Sequence, residues 1–464
     1  MSRFMCLRVP SRGLARSSGV KMWMRPGRAT TGLRPYASTA PEPAVKKSLG
    51  EILASAIKTT GPISLAAYMR QCLTNPESGY YINKDPFGAG GDFITSPEIS
   101  QMFGELVGIW VLTQWMAVSK PDESRLIELG PGRGTLMADM LKAFQSFGYF
   151  NHTVKEICLV EASPTLREMQ HKLLCGEEPL EETEYGHKSR TKYGQLISWY
   201  MDLKTVPKDD CAPFIIAHEF FDALPIHQFE HTQHGWRELL VDYSVPKVET
   251  PLSLPNQTTS IGPEVAKFHL TVPAYATASS RVIPSSSERY KKLPIHSKIE
   301  VSPESWDVAL EIAKRIQETD ELGRVVNAGS ALIVDYGPAD TIPVDSLRAI
   351  KQHHIVSPFE EPGAADLSAD VDFVALKEVA RKEAGVDVHG PVEQGDWLHT
   401  LGIGARATVL ANKQTTQEGK DRIAKAYNRL VERSGGAMGK VYKVMAFTPK
   451  GSPVPVGFGG EVVE

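Results

Sequence analysis

Residues 125–141 read RLIELGPGRGTLMADML: a short apolar run, glycines at the alternate positions 130, 132 and 134, then a helical pattern. The run "LIEL" (126–129) is short enough for a buried strand, and Leu136, Met137, Met140, Leu141 and Phe144 fall on one helical face. A strand, a glycine loop and a helix in direct succession form a ready place for a ligand at a helix N-terminus. Spacing narrows which ligand. A phosphate loop needs GxxxxGK followed by Ser or Thr, and this loop has no lysine. The dinucleotide fingerprint GxGxxG fails in both registers, because its third position is Thr135 counted from Gly130 and Met137 counted from Gly132.

What remains is ExGxGxG: Glu128, Gly130, Gly132 and Gly134. It resembles the first motif of Rossmann-like methyltransferases that use S-adenosylmethionine. That cofactor has no pyrophosphate, so bare backbone beside its amino-acid and ribose portions suits it better than a phosphate cradle. A carboxylate such as Glu128 suits its ammonium or sulfonium side. The next strand candidate, "EICLVE" (156–161), ends on Glu161, where an acid can bond the ribose hydroxyls. The one after it, "LISWYMD" (196–202), closes on Asp202, which could meet the adenine amino group.

Further strands are expected at 214–222, 331–337, 405–414 and 440–448, with helices over 163–174 and 305–318. Such alternation implies a parallel sheet covered on both faces. The expected fold class is α/β: a Rossmann-like class I S-adenosylmethionine-dependent methyltransferase with a mainly parallel seven-stranded sheet, an N-terminal helical region and insertions. The expected divisions are a mitochondrial transit peptide (1–36), an N-terminal helical and lid region (48–120) and a first core part (121–243). A Ser/Thr/Pro-rich insertion (244–298), a second core part (299–450) and a flexible tail (451–464) complete them. Within 48–74 the helical pattern breaks at Gly61-Pro62, and 103–118 reads as a largely buried helix rather than a membrane span.

The transit-peptide reading rests on composition. Residues 1–36 hold eight Arg or Lys, many serines and no acid, and "RPYAS" resembles a matrix-processing site cut after Tyr36. Removing those eight cations from a formal net charge of −4 leaves −12, a balance unsuited to nucleic acid. The five cysteines are scattered with no CxxC pair, which fits a reducing compartment and argues against a zinc site. His227 and His231 have i, i+4 spacing, but "IHQFEHTQHGW" reads as strand and turn, so no metal is expected.

Seven stretches together carry a closer resemblance: "DPFGAGGDFITSPEISQMFGE" (85–105), "ELGPGRGTL" (128–136), "VEASPTLREMQ" (160–170), "AHEFFDALPIHQF" (217–229), "LIVDYG" (332–337), "PGAADLSADVDF" (362–373) and "QGDWLHTLGI" (394–403). In these the chain resembles the MidA-type family of mitochondrial protein arginine methyltransferases that act as complex I assembly factors. The resemblance implies a matrix enzyme that symmetrically dimethylates an arginine of the 49-kDa core subunit of complex I. It implies that protein as partner, no nucleic acid and no stable membrane insertion; a homodimer stays open.

An arginine acceptor needs a carboxylate that orients the guanidinium and takes a proton late. "HEFFDALP" follows the fourth strand at the carboxyl edge, where open sheets bind ligands, so Glu219 and then Asp222 are the candidates. "GGDFITSPEIS" offers Asp92, Thr95 and Glu98 as a lid or acceptor channel, since glycine-flanked loops can close over a site. Asp366, Asp370 and Asp372 read more simply as solvated or capping acids. Two other classes stay open at this point: a non-catalytic assembly factor that binds S-adenosylmethionine and a subunit, and a small-molecule methyltransferase or nicotinamide oxidoreductase.

Overall fold

A computed structural model describes residues 47–83, 95–244, 267–319 and 325–460. The expected leader, Asp92, residues 245–266 and the end of the tail (461–464) lie outside the described residues.

The central sheet has nine strands: β1 (Ser124–Leu129), β2 (Val154–Val160), β3 (Glu181–Thr183), β4 (Gly186–Arg190), β5 (Leu196–Tyr200), β6 (Ala212–His218), β7 (Ser330–Tyr336), β8 (Asp387–Glu393) and β9 (Tyr442–Thr448). Their spatial order is β8-β9-β7-β6-β1-β2-β5-β4-β3. The five middle strands run parallel, while β9, β8 and the edge hairpin β3–β4 pair antiparallel. The seven-stranded pattern expected from the sequence is thus present, with a hairpin added at one edge.

Alternation on the middle strands decides what covers each face. Leu126, Phe214, Ile216, Leu332, Val334, Val444 and Ala446 face one cluster. Ile127, Ile215, Ala217, Ala331, Ile333, Met445 and Phe447 face the other. Both faces are therefore apolar, and such strands read as continuous rather than alternating runs. The helices α1 (Leu49–Thr60), α2 (Leu65–Thr74), α3 (Gln101–Ala117), α4 (Thr135–Phe144), α5 (Pro164–Cys175) and α6 (Pro303–Ile316) divide among three cores. α3 and α4 pack on the first face, α6 on the second. α1 and α2 build a separate core with Ile226, Val241, Phe268 and Leu367.

That third core and a smaller one around Phe229, Tyr290, Ile299 and Val301 share a second, antiparallel sheet of strands 63–64, 227–232, 235–244, 267–271 and 298–301. The region expected as an insertion therefore contributes, over its described part 267–298, one paired strand, the first residue of a second and short helices. Its polar composition, with few long apolar runs, hid them.

The strand expected at 405–414 is corrected: Ile403–Asn412 is a helix, followed by a second over Gln417–Val431. Ile403 and Leu410, seven residues apart, both enter the core, which is a helical and not a strand spacing. The missing strand is β8, whose "DVHGPVE" contains Gly390-Pro391 and reads as a turn. A register shift between His389 and Val392 accommodates the proline on this edge strand.

Candidate active site

Chain order decides where a ligand can enter. From β1 the chain proceeds to β2 and β5 on one side, then returns to β6 and β7 on the other. The reversal lies between β1 and β6, and an open parallel sheet forms its crevice there, beyond the strands' carboxyl ends. A cleft of about 390 Å³ occupies that place. Glu128, Gly130, Gly132 and Arg133 line it from the end of β1, His218 and Glu219 from the end of β6, and Thr95 and Glu98 from the segment before α3.

Gly130, Gly132 and Gly134 have φ of 61°, 53° and 85°, the left-handed region that only glycine enters cheaply. A Cβ on Gly130 would stand 3.0 Å from the Phe220 ring, so the loop's closeness to the turn after β6 also requires glycine. Gly134 ends the loop directly before α4, with no side-chain cap on the helix's first N–H groups.

Of the expected cofactor residues, Glu128 is buried against this cleft, and its Oε2 accepts no hydrogen bond. Burial, with Glu161 next, pushes its carboxyl up to about 8. Glu161 lies at the end of β2, buried, but not on the cleft's immediate lining. It accepts the Ser163 N–H at 2.7 Å and the Gln170 amide at 3.2 Å, and that amide also bonds the Gly132 carbonyl at 2.6 Å. Burial raises it to about 7 despite these donors. Asp202 is exposed and accepts the Lys204 N–H at 2.9 Å, which caps a 3₁₀ turn away from the cleft. The strand-end pattern that nominated it is also the pattern of a capping acid.

The acids after β6 come together. Glu219 has φ of 48°, uncommon for a residue with a side chain. Its own N–H bonds the Val334 carbonyl at 2.9 Å, and the nearby Tyr442 hydroxyl and Ser96 N–H favour its ionised form. Oε1 has no hydrogen-bond partner and lies 3.5 Å from His218 Nε2, which also has none. Burial and the nearby Asp222 push Glu219 up to about 8, while burial drops His218 to about 3. Near neutral pH this contact is therefore mainly between uncharged partners, not an ion pair. Asp222 is buried, bonded to the Tyr336 hydroxyl, and its Oδ1 is unpartnered.

Residues not foreseen frame these acids. Tyr336 and Tyr442 pack edge to face with centroids 5.4 Å apart, and Arg348 lies 4.5 Å above the Tyr336 ring while bonding Asp370 at 2.8 Å. Tyr81 donates to Asp366 at 2.8 Å, so Asp366 is a buried member of this cluster and not a solvated acid. Asp372 does cap a helix and pairs with Arg289 at 2.9 Å. Only pairing across four sequence-distant strands and loops assembles these groups, so local spacing carried no sign of it.

Among the described residues, no group of three His, Cys, Asp or Glu could hold a metal ion. His227 bonds Glu238 at 2.6 Å and His231 stacks on Trp236 at 4.7 Å. Nor is any described helix long and apolar enough to cross a membrane.

Comparison with known proteins adds a common ancestry to this geometry. Residues 106–392 match the family model described as "Putative S-adenosyl-L-methionine-dependent methyltransferase". The chain is 38% identical over 423 residues to the cattle protein named "Protein arginine methyltransferase NDUFAF7, mitochondrial", covering 89% of this chain and 87% of that one. The human protein of the same name is 38% identical over 399 residues, 85% of this chain and 81% of that one. The Drosophila melanogaster homologue is 37% identical over 408 residues, with 87% and 85% covered. In fold, the chain is similar to a crystal structure of a superfamily member from Burkholderia thailandensis with S-adenosyl-homocysteine bound. That likeness has a TM-score of 0.66 at 22% identity and covers 89% of this chain and 94% of that one.

Proposed function

Because this chain belongs to the S-adenosylmethionine-dependent methyltransferase family that includes the mitochondrial protein arginine methyltransferases, we propose that its acceptor is an arginine of a protein, held by Glu219 and Asp222. The cofactor is S-adenosylmethionine, which supplies an electrophilic methyl group on a sulfonium. The residues present fit it. The glycine loop leaves bare backbone over the cleft, and the unpartnered Glu128 Oε2 offers an acceptor to a cationic or hydroxyl group. Glu128, Gly130, Gly132 and Gly134 hold it in this reading, with Glu161 supporting the loop through Gln170.

The observation that carries the acceptor assignment is the pair of buried, unpartnered oxygens, Glu219 Oε1 and Asp222 Oδ1, beside the cofactor cleft. Burial raises both carboxyls, and a buried carboxyl so raised is matched to a ligand that brings its own positive charge. A guanidinium is such a cation, planar and able to bond two carboxylate oxygens at once. Deprotonating it fully before attack, from at least about 12.5 to a pH near 7.5, would cost roughly 7 kcal/mol. Glu219 instead orients the guanidinium and accepts the proton as the new bond forms. Phe220 and Phe221 wall the turn, and Thr95 and Glu98 flank the acceptor's approach.

The finer reading places the enzyme in the mitochondrial matrix and takes the 49-kDa core subunit of complex I as substrate, with symmetric dimethylation as product. The relatives' names and the basic N-terminal segment support the mitochondrial placement, while the subunit and the symmetric product rest on the resemblance of the sequence motifs. The test is methyl transfer from labelled S-adenosylmethionine to freshly translated 49-kDa subunit, with mass spectrometry to find label on arginine. Label lost with Glu219→Gln supports the assignment. No label from a protein that binds both cofactor and subunit would instead favour a binding-only assembly factor.

A further inference from the structure

We propose that Asp335 is the positioning residue that sets the turn carrying Glu219 and Asp222, and that methyl transfer depends on it although it does not line the cleft. This rests on the acceptor reading given above. Asp335 is the penultimate residue of β7 and is fully buried. Its Oδ2 accepts the N–H groups of Phe221 at 2.9 Å and Asp222 at 3.3 Å, and its Oδ1 accepts the Tyr336 N–H at 2.9 Å.

The need for such a residue follows from the turn. β6 pairs with β7 up to His218 opposite Val334, and Glu219 adds one more bond to the Val334 carbonyl. The chain then leaves the sheet through Glu219 in a left-handed conformation. That conformation is costly for a residue with a side chain and persists only where the surroundings over-determine it. Beyond it, the N–H groups of Phe221 and Asp222 turn inward, past the last ladder bond, where a buried donor must find an acceptor. The Asp335 carboxyl is that acceptor for both. The Asp222 carbonyl in turn accepts the Ala369 N–H at 2.9 Å, fixing the far end of the turn.

One side chain therefore decides where two acceptor carboxyls point. Asp335 is not among the residues lining the cleft, so cofactor affinity should not depend on it. Misplacing a reacting group by about 1 Å can cost on the order of a hundredfold in rate. The expected signature is a split: kcat falls while KM and cofactor affinity hold.

The experiment uses the full chain with Asp335→Asn and Asp335→Ala, and Glu219→Gln beside them. Cofactor Kd is read by calorimetry, and kcat and KM with freshly translated 49-kDa subunit. Expected is a Kd and KM within about threefold of wild type, kcat lowered about tenfold by Asn and a hundredfold or more by Ala, because Asn keeps one acceptor oxygen. A wild-type kcat in Asp335→Asn, with Glu219→Gln inactive, overturns the Asp335 inference and leaves the acceptor assignment standing. An active Glu219→Gln overturns the assignment, and with it the reason for the inference. Where the variants fail to fold, hydrogen exchange of the wild-type chain decides: amides of Phe221 and Asp222 protected like β6 support the inference, and exchange at free-loop rates overturns it.

Discussion

Glu219 brings together the site's two demands, a particular direction and a particular charge. Its carboxyl is raised from 4.5 to about 8 by burial first and Asp222 second. The ionised form able to hold a guanidinium therefore grows as pH rises through about 8. The kcat/KM of wild type is expected to climb across pH 7–9 with an apparent pKa near 8, whereas Glu219→Gln is slower by about 10²–10⁴-fold and loses that limb. A flat wild-type profile would count against the assignment. Glu128 makes an independent prediction, because a cation brought beside a carboxyl held at about 8 draws off its proton. Binding of S-adenosylmethionine at pH 7 should release protons, seen as a binding enthalpy that varies with the buffer's ionisation enthalpy. No such variation would remove Glu128 from the cofactor's charged side. At this scale the sequence was readable where a motif is contiguous. Glu128, Gly130, Gly132 and Glu219 meet in one cleft as their spacing indicated. Asp335, Tyr336 and Tyr442 were not readable as a group, because β7 and β9 bring them to β6 across more than a hundred residues.

The glycine loop joins β1 directly to α4, and Gly130 is where it passes closest to the turn after β6. Gly130→Ala adds a methyl 3.0 Å from Phe220 at a φ of 61°, and a left-handed alanine costs roughly 1–2 kcal/mol. Calorimetry should show cofactor affinity weakened at least about tenfold with the sheet intact; unchanged affinity would mean that the loop does not cradle the ligand. The other end of β1 is a matter of stability. There Arg125 bonds Glu156 at 3.1 Å and Asp209 at 2.8 Å while almost wholly buried. Arg125→Ala leaves Glu156 unpaired in the interior, and loss of about 3–5 kcal/mol in denaturant unfolding is expected. Elements with a full period of apolar residues were legible: α4 and α6 match their expected spans within two residues. β8 and the helix 403–412 were exchanged because a proline bulge looks like a turn, and Val409 and Ala411 look like strand until Ile403 and Leu410 are seen buried together.

For the molecule as a whole, the three carboxyls Glu128, Glu161 and Glu219 have folded values of about 8, 7 and 8 against 4.5. Groups raised on folding contribute stability that is complete below 4.5 and is lost as pH climbs through 7–8. The ligand-free protein should therefore lose Tm between pH 6 and pH 9. S-adenosylmethionine at a hundredfold its Kd should add about 2.7 kcal/mol and NAD nothing; a shift with NAD alone would revive the oxidoreductase alternative. The layered α/β class was legible because alternation of elements fixes it. The second sheet was not, since its strands are scattered over residues 63–301. The spatial order β8-β9-β7 also has a consequence for biosynthesis. Among the described residues β8 pairs only with β9, and β9, which carries Tyr442 to Glu219, is made after both β7 and β8. A nascent chain can assemble its glycine loop early, but its acceptor site stays open-sided until β9 slides between two already synthesised strands. Chains cut short before residue 442 would thus retain a nucleotide-like cradle without competence to modify anything.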